Sequence, residues 1–467
     1  MIATLDLRDR IVGLDQAVPL LDGRRLPYVN LDNAASTPPL VDVVRAVDAF
    51  MPYYASVHRG TGFKSRLSTV AYDQAHAIIG RFVGADAALD TVIFGKNTTE
   101  AINKLAFRLP LADDAVILTT QLEHHSNDLP WRPRAHVVHV RALPDGRLDE
   151  DDLDRQLAAH AGRVALVAVS GASNVSGYIQ PIHRLARKAH AAGALILVDA
   201  AQLAPHRQVD MRPHDDPEHL DFVALSAHKM YAPFGTGALV GPKEVFLRQP
   251  PEYRGGGTVD VVTLDDVHWA GAPDRDEAGS PNVVGAVAMA AAARVLLEVG
   301  MDAVAAHEAE LVAYALEQLP RVPGVRLYGE TDPARAAEKV GVIPFNLTGV
   351  SHFLVAAILG YEGGIGVRSG CFCAHPYVVH LLQLDEAESA RWRANLLAGD
   401  KSDMPGMVRA SFGCYNTTGD IDRLVEMLGR IARGDYRGDY LLDRHSGEYH
   451  PRGFTEPLAD YFLLEPL

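Results

Sequence analysis

Short, unbroken apolar runs rich in β-branched residues recur through the first half of the chain, at residues 91–94, 115–119, 164–169, 194–198 and 222–225. A run without alternation is what a strand covered on both faces looks like. Between the runs lie stretches of helical spacing. Residues 181–192 are the clearest, with Pro181 in the first turn and Gly193 just past the end. Apolar strands separated by helices predict an α/β architecture, a mostly parallel sheet covered by helices. From residue 303 the pattern changes. Helices are expected over 303–319 and 420–434, and short strands over 325–327, 343–347 and 408–411. The chain therefore divides into an N-terminal segment (1–30) expected on the small domain, a large domain (31–302), a small α/β domain (303–433) and a C-terminal extension (434–467). The extension is rich in Asp, Arg, Tyr, Gly and Pro and reads as an irregular tail.

Composition and charge narrow the function classes. The 467 residues include 44 basic and 59 acidic ones, a net charge of −15. With no basic run, nucleic acid and anionic membranes are not expected partners. No basic segment followed by an apolar stretch opens the chain, and the most apolar run, 286–299, contains Arg294 and is too short for a bilayer. Three cysteines make no disulfide framework. A soluble cytoplasmic protein with reduced thiols is the expectation.

Polar residues gather where the apolar runs end, which in a parallel sheet is where ligands bind. Ser226, His228 and Lys229 follow one run, and Asp199 and Gln202 follow another. A strand-end lysine is commonly a solvated end, and a strand-end aspartate can be a helix cap. Together, one strand unit apart, they suit pyridoxal 5′-phosphate (PLP). The amine carries the cofactor as a Schiff base, and the carboxylate keeps the pyridine nitrogen protonated. Asn97, Thr98 and Thr99 open a helix and fit either an anion site or a plain capping box. His124 and His125 lack further ligands at zinc-like spacing, so no metal is expected. A histidine stacked on the cofactor and moving protons is the alternative.

Ten segments occur in register: DNAAST (32–37), VHRG (57–60), NTTE (97–100), EHHSN (123–127), SNVSG (173–177), VDAAQ (198–202), SAHK (226–229), EAGSPN (277–282), RSGCFCAHP (368–376) and VRASFGCYNT (408–417). This set resembles the class V aminotransferase family of PLP fold type I, and within it the cysteine desulfurase and selenocysteine lyase group. The resemblance implies a seven-stranded-type sheet in the large domain and a homodimer. It assigns Lys229 the Schiff base, Asp199 the pyridinium, and Gln202 and Asn174 the ring oxygen. Thr98, Thr99, Ser226 and His228 take the phosphate, which Ser280 reaches from the other subunit. His124 stacks on the ring and moves protons, and Arg409 holds the substrate carboxylate. Asn33, Ala35, His58 and Arg368 line the pocket.

Cys373 stands five residues after Arg368, where the desulfurase pattern has its nucleophile. The C-F-C form also resembles the molybdenum cofactor sulfurase branch. Read from the residues alone, Cys-Phe-Cys fits a buried loop or half a metal site with His375. The resemblance implies conversion of L-cysteine to L-alanine, a persulfide on Cys373 and delivery of the sulfur to an acceptor protein. The alternative is a lyase, epimerase or aminotransferase acting on another amino acid. The 36-residue interval from Cys373 to Arg409 is longer than in compact desulfurases. Residues 376–407 are expected as an irregular loop, either a lid or docking element or a surface insertion without a role.

Overall fold

The computed structural model describes residues 7–465. Seven strands form the central sheet: β1 (Asp90–Gly95), β2 (Val116–Thr120), β3 (His136–Val140), β4 (Val164–Ser170), β5 (Leu195–Asp199), β6 (Phe222–Ser226) and β7 (Gly237–Pro242). Their order is β1-β7-β6-β5-β4-β2-β3. Strand β7 runs antiparallel to both neighbours, and the remaining pairings are parallel. Successive side chains enter different cores. Val92, Phe94, Val116 and Leu118 join one buried cluster, while Ile93 and Ile117 join another on the opposite face. That is why these strands read as unbroken apolar runs.

Helices α1 (Val41–Phe50), α2 (Phe63–Phe82), α3 (Thr98–Arg108), α4 (Ile182–Ala191) and α5 (Val283–Val299) cover the sheet. Helix α3 lies on one face through Ala101, Ile102 and Leu105, and the other four helices contribute to the core on the opposite face. The helix expected at 181–192 is α4, with Pro181 as its N-cap residue. A hairpin, β8 (Val259–Val262) with β9 (Val267–Trp269), projects exposed Val261, Val262 and Leu264.

Helix α6 (Met301–Gln318) leads into the small domain, an antiparallel sheet in the order β10 (Val325–Leu327), β11 (Val342–Leu347), β13 (Met407–Ser411), β12 (Arg368–Gly370). Helices α7 (His352–Gly363) and α10 (Thr418–Ala432) pack on it around Phe345, Ile358, Leu359 and Leu424.

Residues 376–407 differ from the expected loop. They hold most of α8 (His375–Leu382) and all of α9 (Glu386–Leu397). Helix α9 has a full capping box between Asp385 and Glu388 but no buried residue. It forms through capping and good helix formers, so it leaves no apolar stripe to read. The C-terminal extension is also more ordered than expected. Strands β14 (Tyr440–Leu442) and β15 (Tyr449–Pro451) form a hairpin, and Glu362 at the end of α7 accepts from the Arg437 and Gly438 amides and the Tyr440 hydroxyl. The N-terminal segment divides its contacts. Ile11 and Arg10 meet Leu40 and Asp42 of the large domain, whereas Val29 pairs with Ile365 of the small one. Among the described residues no single helix is long and apolar enough to cross a membrane.

Candidate active site

The carboxyl ends of β4, β5 and β6 lie side by side, with Ser170 in register with Asp199 and Asp199 with Ala224. They floor a cavity of about 400 Å³. Its large-domain wall carries Asn97, Thr98 and Thr99 from the start of α3, with His124 and Ser126 after β2 and Asn174 after β4. Asp199, Gln202, Ser226, His228 and Lys229 complete that side. Small-domain residues Arg368, Phe372, Cys373 and Arg409 close the other side, with Ala34 and Ala35 from the N-terminal loop. Gly237 lets β7 come close beneath α3. A Cβ there would lie 2.5 Å from Asn97 Cα.

Electrostatics follow from burial. Burial pulls the Lys229 amine down to about 8, against the opposing pull of Asp199. Burial also raises the Asp199 carboxyl above the usual range, although the Ala201 amide and Lys229 hold it back. His124 is depressed to about 3, first by burial and then by Lys229, so its ring is neutral. Its Nδ1 accepts from the Ser126 amide at 3.1 Å, which leaves the proton on Nε2. His228 is likewise pushed down to about 4 by burial and Lys229.

Arg409 is buried, and burial lowers it to about 10 despite Asp32. It donates to Asn174 O at 2.9 Å and to Asp32 Oδ1 at 3.1 Å, under the Phe372 ring at 4.9 Å. Asp32 Oδ2 also meets Arg368 at 2.8 Å. One carboxylate thus bridges two arginines that sit opposite each other across β12 and β13. Sequence reasoning missed Asp32 and Phe372. Asp32 opens the DNAAST segment, and two arginines needing one counter-charge were the available signal.

Cys373 is exposed at the cavity mouth. It and Phe372 both adopt left-handed backbone, with φ of 55° and 52°. Three hydrogen bonds hold this loop. Asn174 Nδ2 donates to Phe372 O at 2.7 Å, His125 N–H to Cys373 O at 2.8 Å, and the Cys371 thiol to Pro405 O at 3.0 Å. His125 and His124 serve different groups, since the His125 ring packs against His375 at 4.8 Å. Burial pushes the Cys371 thiol up to about 12, so Cys371 is a poor source of thiolate.

Three expected pocket residues stand outside the cavity lining in this single chain. The Asn33 side chain is tied to Ser411 O, Asn416 and the Tyr415 hydroxyl. His58 is exposed and packs against Tyr72. Ser280 lines a separate cavity of about 270 Å³ with Gly95 and Thr236.

The cavity's own residues fit PLP. Thr98 Oγ1 and Gln202 Oε1 are buried without a hydrogen-bond partner, and so is Arg409 Nε. Unpaired buried polar atoms are costly unless a ligand completes them. The N-terminus of the 11-residue α3, with Thr98, Thr99 and Ser226 around it, has the donors a phosphate needs. A buried lysine of lowered pKa beside a buried aspartate suits a carbonyl cofactor with a ring nitrogen.

Comparison with known proteins gives a consistent result. The family described as Aminotransferase class-V matches residues 29–424. A cysteine desulfurase of Dickeya dadantii is 37% identical, covering 88% of this chain and 93% of that protein. One of Haloferax volcanii is 34% identical over 91% and 95%. The solved apo structure of a cysteine desulfurase from Thermococcus onnurineus NA1 superposes with a TM-score of 0.77 at 31% identity, over 91% and 99% of the two chains.

Proposed function

The chain belongs to the aminotransferase class-V family, and we propose that within it the protein is a PLP-dependent cysteine desulfurase that converts L-cysteine to L-alanine and passes the sulfur to an acceptor. The observation that carries this reading is one cavity holding Lys229, Asp199 and Arg409 with the Cys373 thiol at its mouth. When bound, PLP supplies an electron sink for charge developing at the substrate carbon.

The chain's residues do the rest. The Lys229 amine, lowered to about 8 by burial, keeps a neutral fraction near neutral pH. It can therefore act as a nucleophile and take up a proton. Asp199 supports a protonated ring nitrogen, while neutral His124 is placed to hold or return a proton at Nε2. The Arg409 guanidinium, already fixed by Asn174 O and Asp32, offers its free Nε side to a carboxylate. The Cys373 thiolate then attacks the substrate sulfur. A sulfur–sulfur bond forms, the substrate carbon–sulfur bond breaks, and its electron pair takes a proton to leave alanine. An acceptor thiolate next attacks the outer sulfur and releases Cys373 as thiolate. With its carbonyl held by the His125 amide, Cys373 sits on a fixed loop with an exposed sulfur, which suits transfer to a protein acceptor.

The test is incubation of the cofactor-loaded protein with L-cysteine, followed by amino-acid analysis and mass spectrometry. Alanine should form with a persulfide on Cys373, and Cys373→Ser should form neither. Pyruvate in place of alanine, or full alanine formation by Cys373→Ser, would favour a lyase, epimerase or aminotransferase of the same family.

The assembly belongs to the same reading. A homodimer in which Ser280 reaches the partner's phosphate site is supported by the place of Ser280 outside the lining of its own Lys229 cavity and by the exposed apolar tip of the β8–β9 hairpin. A fully active monomer in sedimentation at assay concentration would refute it. A cytoplasmic location is supported by three free cysteines.

A further inference from the structure

Among the described residues, twelve buried side-chain polar atoms lack a hydrogen-bond partner, and six of them belong to residues lining just two cavities. Three lie in the Lys229 cavity. The other three, Asn346 Oδ1, His352 Nδ1 and Trp392 Nε1, belong to a second cavity of about 430 Å³ between the small-domain sheet and the inserted helix α9. That volume is many times the roughly 10–15 Å³ of such space that holds one water, so it has room for a small molecule.

The chemical sense of each unpaired atom can be fixed. His352 Nε2 lies 3.0 Å from the Met404 carbonyl, which only accepts, so Nε2 carries the proton. Burial lowers the His352 pKa, which keeps the ring neutral and Nδ1 a bare acceptor. His352 is only 8% exposed. Asn346 Nδ2 donates to Gly406 O at 3.0 Å and to the Tyr328 hydroxyl at 3.3 Å, so its free atom is the carbonyl oxygen. Indole Nε1 of Trp392 can only donate. An occupant must therefore donate at least two hydrogen bonds and accept one.

Charge defines the rest. Arg326, stacked on Tyr328 at 5.1 Å, and Arg391 line the cavity. Neither has a carboxylate within 4.0 Å among the described residues. Two carboxylates, Glu388 and Asp403, also line the cavity, and Glu388 accepts the Asp385 amide at the α9 cap. Ser351, the N-cap residue of the 12-residue α7, also lines the cavity and makes no side-chain cap, so the first α7 amides lack a side-chain partner from Ser351.

We propose that this cavity is a second small-molecule site, built for an amphoteric ligand of the amino-acid class. Its carboxylate meets Arg326, Arg391 and the opening amides of α7, and its N–H groups meet His352 Nδ1 and Asn346 Oδ1. The floor of the site adjoins the sulfur-carrying loop. Pro405, which lines it, accepts the Cys371 thiol. Gly406 beside it approaches Gly370 so closely that a Cβ would lie 2.7 Å from the Gly370 Cα. Trp392 packs edge-on to His375 at 6.3 Å, and His375 packs on His125.

The inference rests on this geometry and not on the reaction proposed above, and the experiment keeps the two apart. Arg409→Ala protein is titrated calorimetrically with L-alanine, L-glutamine and glycylglycine, because removing Arg409 weakens amino-acid binding in the first cavity. At least one probe should bind saturably in the millimolar range. In the same background, affinity should fall roughly fivefold or more with Arg391→Gln, a change at an exposed side chain, and with Trp392→Phe, which keeps an aromatic side chain, smaller than indole, and removes the N–H donor. Saturable binding seen in the parent protein but absent from Arg409→Ala would overturn the proposal. So would affinities that neither second substitution alters, or the absence of binding by all three probes.

Discussion

The two halves of the Lys229 cavity are built differently. On the large-domain side, Thr98, Asp199, Ser226 and Lys229 stand at or just beyond the ends of strands and of α3, in backbone that the sheet fixes. On the small-domain side, Phe372 and Cys373 occupy consecutive left-handed positions, each of which costs a non-glycine residue about 1–2 kcal/mol. Hydrogen bonds between segments distant in sequence, from Asn174, His125 and Cys371, offset that cost. The cofactor side is thus preorganised by secondary structure, whereas the sulfur side is held by tertiary contacts. The difference teaches that sulfur chemistry should be separable from cofactor binding.

The sharpest test of that separation is Arg409→Ala. Losing a buried charge that pairs with a substrate carboxylate costs roughly 2–5 kcal/mol. Amino-acid affinity should collapse accordingly while cofactor absorbance is retained. Loss of the cofactor together with the substrate would show that the halves are not independent.

On the cofactor side, the apoprotein should carry a cost at Lys229. Its amine is at about 8 in the folded chain against 10.5 ordinarily. The unfolded chain therefore binds more protons between those values, and stability rises with pH across that window. The cost is fully present below about pH 8 and relieved by about pH 10.5. Lys229→Met apoprotein should be more stable than the parent apoprotein at neutral pH by roughly 1–3 kcal/mol, allowing for solvent screening. In denaturant titrations the gap should close at high pH. A gap that stays constant from neutral to alkaline pH would contradict the assigned shift.

The smallest effect is expected for Cys371→Ala. It removes one thiol–carbonyl contact from the loop, worth about 1 kcal/mol. Persulfide yield should fall modestly with cofactor binding unchanged. A complete loss of persulfide would instead give Cys371 a chemical role.

Legibility follows the same division. The β4, β5 and β6 runs and the residues after them were readable because strand, turn and functional side chain lie within a few positions of one another. Strand β3, half exposed and carrying two histidines, was not anticipated, because its composition lacks an apolar run. Helix α9 was taken for loop because none of its residues is fully buried, and a helix without an apolar stripe has no period to detect. Among expected pocket residues, Asn33 sits next to the lining Ala34, yet its side chain turns to Ser411 and Asn416. Adjacency in sequence does not decide which way a loop side chain faces.

By itself, the sequence determined the sheet-and-helix architecture, the strand-end cluster around Lys229 and the place of Cys373 five residues after Arg368. Local periodicity and short spacings encode such features directly. Tertiary structure alone decided that Asp32 would bridge Arg368 and Arg409, the latter 377 residues away in the chain. It alone decided that Asn346, His352 and Trp392 would share one cavity. The physical reason is that a counter-charge or an unpaired donor is defined by what approaches it in space, and no local pattern records that approach.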